Sequence, residues 1–345
     1  MRKRGVHGIL ALTMLSQSLI SISQTDTLNR TSPLHHAGIC DEEGYCIPSL
    51  QGLPRSKGIS LNYTTVRNQN IFTEYNNETF SGLIEGTSML EVKAKVPLLL
   101  RNDLKIILGA DYSTYDFEFA EHDADQNRIY GSLNNITYRT FETKLYVLKP
   151  FLGNKYLFSR IGVELTGDLS SKGIDDYFRS TFSILYGIKS SSRMTWGVGL
   201  NYRSSLGRHI VFPTFAYSQI LSNRWSLEAY LPMRLNLRFM PNSKNIFEFR
   251  NQLSRQHLNT HPGITNENNI VLARTDYYSS IAYEREVYDF LWISVAAGYQ
   301  VNFDFASSIK RNEQVNSSSL VRNDLTTALV FEIGIFIVPP KKWID

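Results

Sequence analysis

Residues 291–305 read LWISVAAGYQVNFDF. A β-strand turns successive side chains to opposite faces. Leu291, Ile293, Val295, Ala297, Tyr299, Val301 and Phe303 therefore share one face, while Trp292, Ser294, Ala296, Gly298, Gln300, Asn302 and Asp304 share the other. One face is apolar and the other is small or polar. Which of them looks into the protein decides the class.

Working outward from this stretch, the same alternation runs from about residue 57 to the end. It is clear in MLEVKAKV (89–96), LKIILGADYS (104–113), FETKLYVL (141–148), SRIGVELTG (159–167), TWGVGLNYR (195–203), RLNLRF (234–239), IFEFRNQLS (246–254) and LTTALVFEIGIFIV (325–338). No convincing amphipathic helix interrupts it, so the expected fold is all-β. Connections alternate as well. RND (101–103), LGNK (152–155), SSSR (190–193), PNSK (241–244) and VYDF (287–290) are turn-forming,. Between them lie longer polar stretches at 69–83, 117–132, 169–175, 257–270 and 306–322. Short turns at one end and long loops at the other are the habit of outer-membrane barrels. With LPM (231–233) as an outer turn the count is fourteen strands, and twelve is the alternative.

Length and ends then separate a barrel from a soluble sandwich. Soluble strands peak at about 5–6 residues, whereas a tilted membrane strand needs about 9–11. Several runs reach the longer class, with aromatics near their ends, as in Trp292, Tyr299, Phe303 and Phe305, or Trp196 and Tyr202. An Arg or Lys facing mid-bilayer lipid costs about 2–4 kcal/mol, so strict phase is required. The apolar face is thus expected to meet lipid. The charged face is expected to line the lumen with Glu91, Lys93, Lys95, Lys105, Asp111, Glu142, Lys144, Arg160, Glu164, Arg203, Glu228, Arg234, Arg238, Glu248, Arg250, Asp276, Glu284, Asp304 and Glu332. Both signs are present, which suits a cross-linked, largely filled interior or a weakly selective water channel, whereas ion selection by charge favours a ring of one sign.

The chain opens with Arg2, Lys3 and Arg4, an apolar run, and a small-x-small site at Ser21–Ser23. This predicts a secretory signal peptide over 1–23 with mature protein from about Gln24. Losing those three charges takes the formal net charge from +4 to roughly +1, no footprint for nucleic acid. Residues 24–56 have no period and read as a periplasmic N-terminal segment. Its cysteines, Cys40 and Cys46, are expected to form a disulfide in the oxidising compartment that export implies. The barrel takes 57–345.

The stretches KVPLLLRNDLKIILGADYSTYDFEF, TWGVGLNY, FPTFAYSQILSNRWSLEAYLP and EREVYDFLWISVAAGYQ resemble a family of Gram-negative outer-membrane β-barrel proteins known only as a domain of unknown function. The resemblance runs from about residue 57 to the end. It implies the barrel and the bacterial outer membrane, and it transfers no site residue. Chemistry is sparse beside it. His209, His257 and His261, with Ser204, Ser205 and Ser254, would lie near the outer rim. A triad needs a base within reach of its nucleophile, and no G-x-S-x-G marks one. EHDAD (121–125) lacks calcium-loop spacing and reads as a solvated acidic loop; neither a metal nor a cofactor is expected. The sequence thus points to a passive or weakly selective porin-like channel or a structural surface protein, with lipid around it and small solutes or surface ligands as partners. The alternatives are an outer-membrane hydrolase acting on lipid or glycan, and a loop-displaying adhesion module.

Overall fold

The computed structural model describes residues 57–338 apart from 76–77, 102, 127, 135, 152, 170–176, 192, 206–207, 261–269, 289 and 309–320. The leader, the 24–56 segment with Cys40 and Cys46, and His261 lie outside the described residues. The strands are β1 (Ile59–Tyr75), β2 (Glu78–Arg101), β3 (Leu104–Phe119), β4 (Thr137–Phe151), β5 (Lys155–Gly167), β6 (Phe178–Ser191), β7 (Met194–Ser205), β8 (Arg208–Ile220), β9 (Trp225–Leu231), β10 (Arg234–Asn242), β11 (Asn245–Thr260), β12 (Ile270–Tyr288), β13 (Leu291–Ser308), β14 (Val321–Leu325) and β15 (Ala328–Ile337). Two short helices, α1 (Glu121–Gln126) and α2 (Arg128–Asn134), join β3 to β4.

Each strand from β1 to β13 pairs antiparallel with its sequence neighbour, and the pairing of β1 with β14 and β15 closes the ring. β14 and β15 both pair with β1 and with β13, so they are one stave broken at Thr326–Thr327. The barrel therefore has fourteen staves. Pro232 and Met233 form the outer turn between β9 and β10, as the even count requires. Closure matters physically, since every backbone group in lipid needs a partner inside the protein.

The face question has a plain answer. Ile293, Val295 and Tyr299 are 40%, 47% and 58% exposed, while Ser294 and Gln300 are buried. Apolar side chains such as Leu61, Leu200, Phe249, Ile281 and Ile333 stand outward around the ring. The greasy side is the outside.

The phase is not strict throughout, and even the opening stretch slips once. In β13 the ladder to β12 shifts at Phe303, between the Thr275–Asp304 and Asp276–Asn302 pairs. Phe303 stays outward at 64% exposure, Phe305 turns inward and is buried, and Asp304 shares the face of Thr275 and Arg255. Similar breaks sit at Asn68 in β1, which has φ 55°, between Ile84 and Gly86 in β2, and at Thr326–Thr327. Register puts all four at one level on adjacent staves. Below this belt β1 turns Ser60 and Thr64 inward; above it Gln69, Ile71 and Thr73 take that place. Such irregularities re-aim side chains where sheet regularity can be relaxed. The girdle expectation changes accordingly: Trp292 stacks inside on Phe336 with ring centroids 5.9 Å apart, and Phe305 belongs to the interior.

The stretches expected as long loops are partly structure. β1 and β2 rise to Tyr75 and Glu78, β11 to Thr260 and β13 to Ser308. The acidic EHDAD segment forms α1, where the Asp123 carboxylate accepts the Leu83 amide at 2.8 Å. Asn134 at the end of α2 accepts the Phe119 amide, also at 2.8 Å. Both contacts satisfy edge amides at the top of β2 and β3, so the helices are tied down as a cover.

A solute-sized site in the lumen

The inner part of the lumen is bridged by ion pairs because alternation in β9–β12 stacks opposite charges across neighbouring staves. Arg238 reaches Glu228 and Glu248, each at 3.3 Å. Arg250 reaches Glu248 at 2.6 Å, Glu284 at 2.5 Å and Glu332 at 3.0 Å. Lys57 enters from below, 3.0 Å from Glu284 and 3.8 Å from the centre of the Phe336 ring. Arg234 lies 3.9 Å from Glu228. On the opposite wall Lys144 holds Asp111 at 2.5 Å and Glu142 at 2.7 Å, and Lys93 holds Glu91 at 2.7 Å. Lys95 stands over the Tyr146 ring, Lys105 is buried, and Arg160 donates to Ser183. Ser183, Asn201 and Thr214 add a polar chain between β6, β7 and β8. Buried charges are stabilised when paired, and the Arg250–Glu332 pair ties β11 to β15, three staves away.

The outer part is different. Tyr115, Phe117 and Phe119 from β3, Tyr130 and Leu133 from α2, Leu258, Leu272 and Phe305 form one buried apolar cluster. Phe117 stacks on Phe305 at 6.0 Å, and Phe119 on Tyr130 at 5.0 Å. Arg274 forms the floor of this cluster: its Nη1 donates to Tyr115 Oη at 2.6 Å and its Nε lies 2.7 Å from Asp276. Asn302 donates to the same Asp276 carboxylate at 2.8 Å.

One side of the wall is low. β9 meets β8 only from Phe215 onward, and β10 meets β11 only up to Gln252. The outer half of β11 leaves its place in the ladder and crosses to β5, where Asn259 pairs with Gly167. The Asp168 amide donates to the Asn259 carbonyl at 2.9 Å, and Arg203 Nη1 donates to the Arg255 carbonyl at 3.2 Å. Gly167 permits the crossing: its φ is 147°, and a Cβ there would stand 2.5 Å from the Asn259 oxygen.

Between the ion pairs and the apolar cluster lies a cavity of about 300 Å³. The consecutive residues Ser254 to Leu258 border it, so the free edge of β11 faces it as well as one side-chain face. Arg179, Arg203 and Glu164 line the β5–β7 side, and Tyr115, Tyr138 and Met89 the side beneath the cluster. A space of this size with mixed lining is the common form of a small-molecule site.

Arg179 and Arg274, both buried at 1% exposure, were not among the sequence candidates. Each lies in phase with an inward residue, Ser183 and Asp276 respectively, and extending either strand by a few residues finds it. The rim histidines are dispersed. His209 pairs with Ser204 across the ladder, but its Nδ1 is 2.7 Å from Tyr202 Oη. His257 is buried on β11 beside the cavity. No group of His, Cys, Asp and Glu fit to hold a metal occurs among the described residues.

Residues 87–337 match the model of the family described as Domain of unknown function (DUF6268). The chain belongs to that family. No curated protein matches it in sequence. Among solved structures the DUF6268 barrel is similar to a deltaS2 mutant of the TodX monoaromatic hydrocarbon channel, at 8% identity and TM-score 0.43, covering 85% of this chain and 93% of that one. It is also similar to the KdgM porin in complex with oligogalacturonate, at 6% identity and TM-score 0.29, covering 80% and 99%. LpxR from Salmonella typhimurium gives 6% identity and TM-score 0.31, with the same coverage. The likeness is one of barrel architecture.

Proposed function

We propose that this chain is an outer-membrane barrel that takes small solutes into an internal site, and that it is shut to bulk ion flow when no solute is moving. The observation that supports this reading is the position of the cavity, bordered above by the aromatic cluster under α2 and below by the Arg238–Glu248–Arg250 network. An open diffusion pore needs a continuous aqueous path, and both boundaries are built from buried side chains, aromatic above and ion-paired below. A purely structural barrel has no need of a polar cavity next to its core.

The test is a pair of measurements on the refolded protein. In a planar bilayer it is expected to give no steady open-channel steps. In proteoliposomes it is expected to admit some members of a panel of small neutral and charged solutes above the protein-free rate. Sustained ohmic steps overturn the shut lumen, and the absence of uptake across the whole panel overturns the solute route.

A further inference from the structure

The charge balance inside the barrel is uneven, and one place where cations outnumber carboxylates is the cavity wall. In the inner network three cations each meet two or more carboxylates: Lys144 has Asp111 and Glu142, Arg238 has Glu228 and Glu248, and Arg250 has Glu248, Glu284 and Glu332. On the β5–β7 wall the ratio inverts. Arg179 and Arg203 share the single carboxylate of Glu164, at 3.4 and 3.6 Å, both longer than the roughly 2.7–2.9 Å of a full charge-assisted bond. Arg179 uses only Nη1 for it. Its Nε and Nη2, the side-on edge of the guanidinium, have no hydrogen-bond partner among the described residues, and neither has Nε of Arg203. Arg179 is 1% exposed, so this is a desolvated cation with half of its donor fork unused, and such a group is costly to leave unmet.

We propose that the cavity is the binding site of a small organic monocarboxylate, with the carboxylate held by Arg179 and Arg203 and the apolar body against Tyr115, Tyr138 and Leu258. The side-on edge of a guanidinium matches the two oxygens of a carboxylate. A second anion at this wall brings two cations to two carboxylates. One part of the remaining lining offers an apolar body a place that a bare inorganic anion does not use, because Tyr115, Tyr138 and Leu258 belong both to the cavity and to the outer apolar cluster. The occupied state turns the Arg179 fork from Glu164 towards the ligand while Arg203 keeps its hold on the Arg255 carbonyl.

This assignment rests on the reading of the lumen as a solute route, but its test is an equilibrium one and needs no transport. The full-length protein, refolded in a non-ionic detergent, is titrated calorimetrically with benzoate, hexanoate, benzyl alcohol, hexanol and inorganic phosphate. Both carboxylates are expected to bind, with the alcohols and phosphate at least tenfold weaker. Arg179→Gln is expected to weaken benzoate tenfold or more, and Arg179→Lys less. Glu164→Gln removes the competing carboxylate and is expected to tighten benzoate, a gain that a damaged fold does not produce. Equal binding of alcohol and acid, phosphate binding as tightly as benzoate, or a Glu164→Gln variant that weakens benzoate overturns the proposal. Carboxylate binding without any uptake removes the solute route and leaves the site standing. Uptake without carboxylate binding does the reverse.

Discussion

Two arcs of the same wall differ more than any two staves within them. The arc β13–β14/β15–β1–β2–β3 is tall, with strands of 17, 18, 24 and 16 residues at β1, β13, β2 and β3. The arc β7–β10 is low, ending in strands of 7 and 9 residues. A tilted strand of about 9–11 residues suffices to cross the hydrocarbon layer, so the low arc does little more than span, and the tall arc continues well beyond. The phase breaks at Asn68, Ile84–Gly86, Phe303 and Thr326–Thr327 all belong to the tall arc. At their level the outer face carries the Arg67–Glu118 pair, with side chains 52% and 65% exposed. Inside the lipid layer each misplaced charge is penalised and alternation is enforced. Above it that penalty vanishes, the strands are free to slip by one residue, and the inward face is free to become apolar.

The largest expected effect tests whether the tall arc carries a true core. Phe117 is 3% exposed within the outer cluster, and Phe215 in the low arc is 40% exposed and points outward. Phe117→Ala is expected to cost about 3–5 kcal/mol, the usual range for a buried aromatic. Phe215→Ala should cost much less, because the side chain removed already faces the surroundings. Urea unfolding from lipid vesicles measures both. Equal losses would break the comparison, since they would mean that the outer cluster is packed no better than the lipid-facing surface.

A smaller effect locates the boundary between the two regimes on neighbouring outer faces. Ile333 on β15 is 59% exposed and pairs with Tyr63 of β1 well below the belt. Phe72 of β1 is 46% exposed above it. Ile333→Lys is expected to cost about 2–4 kcal/mol of folding free energy in bilayers, and Phe72→Lys about 0–1 kcal/mol, following the depth dependence of a lipid-facing cation. A costly Phe72→Lys would move the lipid boundary above the belt and remove the physical reason given for the slips.

Much of the low arc was legible in the sequence, and the tall arc was legible only to the belt. Alternation and turn chemistry suffice for β4–β7, β9 and β10, including the outer turn at Pro232. Approaching the belt the rule changes sign. In β3 the apolar residues occupy even positions at Ile106, Leu108 and Tyr112, then odd ones at Tyr115, Phe117 and Phe119, while the strand itself keeps one phase. That switch of parity is the written trace of the outer core. Reading YDFEF as more membrane strand hides it, and Asp304 is misplaced by the same assumption. The cavity left no such trace, because it depends on β11 crossing to β5, a contact between Asn259 and Gly167 that no local pattern announces.

The smallest expected effect concerns the cover over the tall arc. Thr73 Oγ1 donates to Asn323 Oδ1 at 2.7 Å and receives the Tyr130 hydroxyl at the same distance. Tyr130→Phe keeps the ring on Phe119 and removes only that donor, so a loss of about 0.5–1.5 kcal/mol is expected. Amide exchange is the sensitive readout, with faster exchange confined to 121–134 and the inner ladders unchanged. Burial pushes the Tyr130 phenol above its ordinary value, so its contribution is complete below the unfolded value of about 10 and is lost as pH rises through the higher folded value. Wild-type helix exchange should therefore quicken in strong alkali beyond its chemical base rate, and the Tyr130→Phe protein should lack that extra rise. An identical alkaline response in both would show that α2 is held by its apolar contacts alone, and that the cover on the tall arc needs no polar latch.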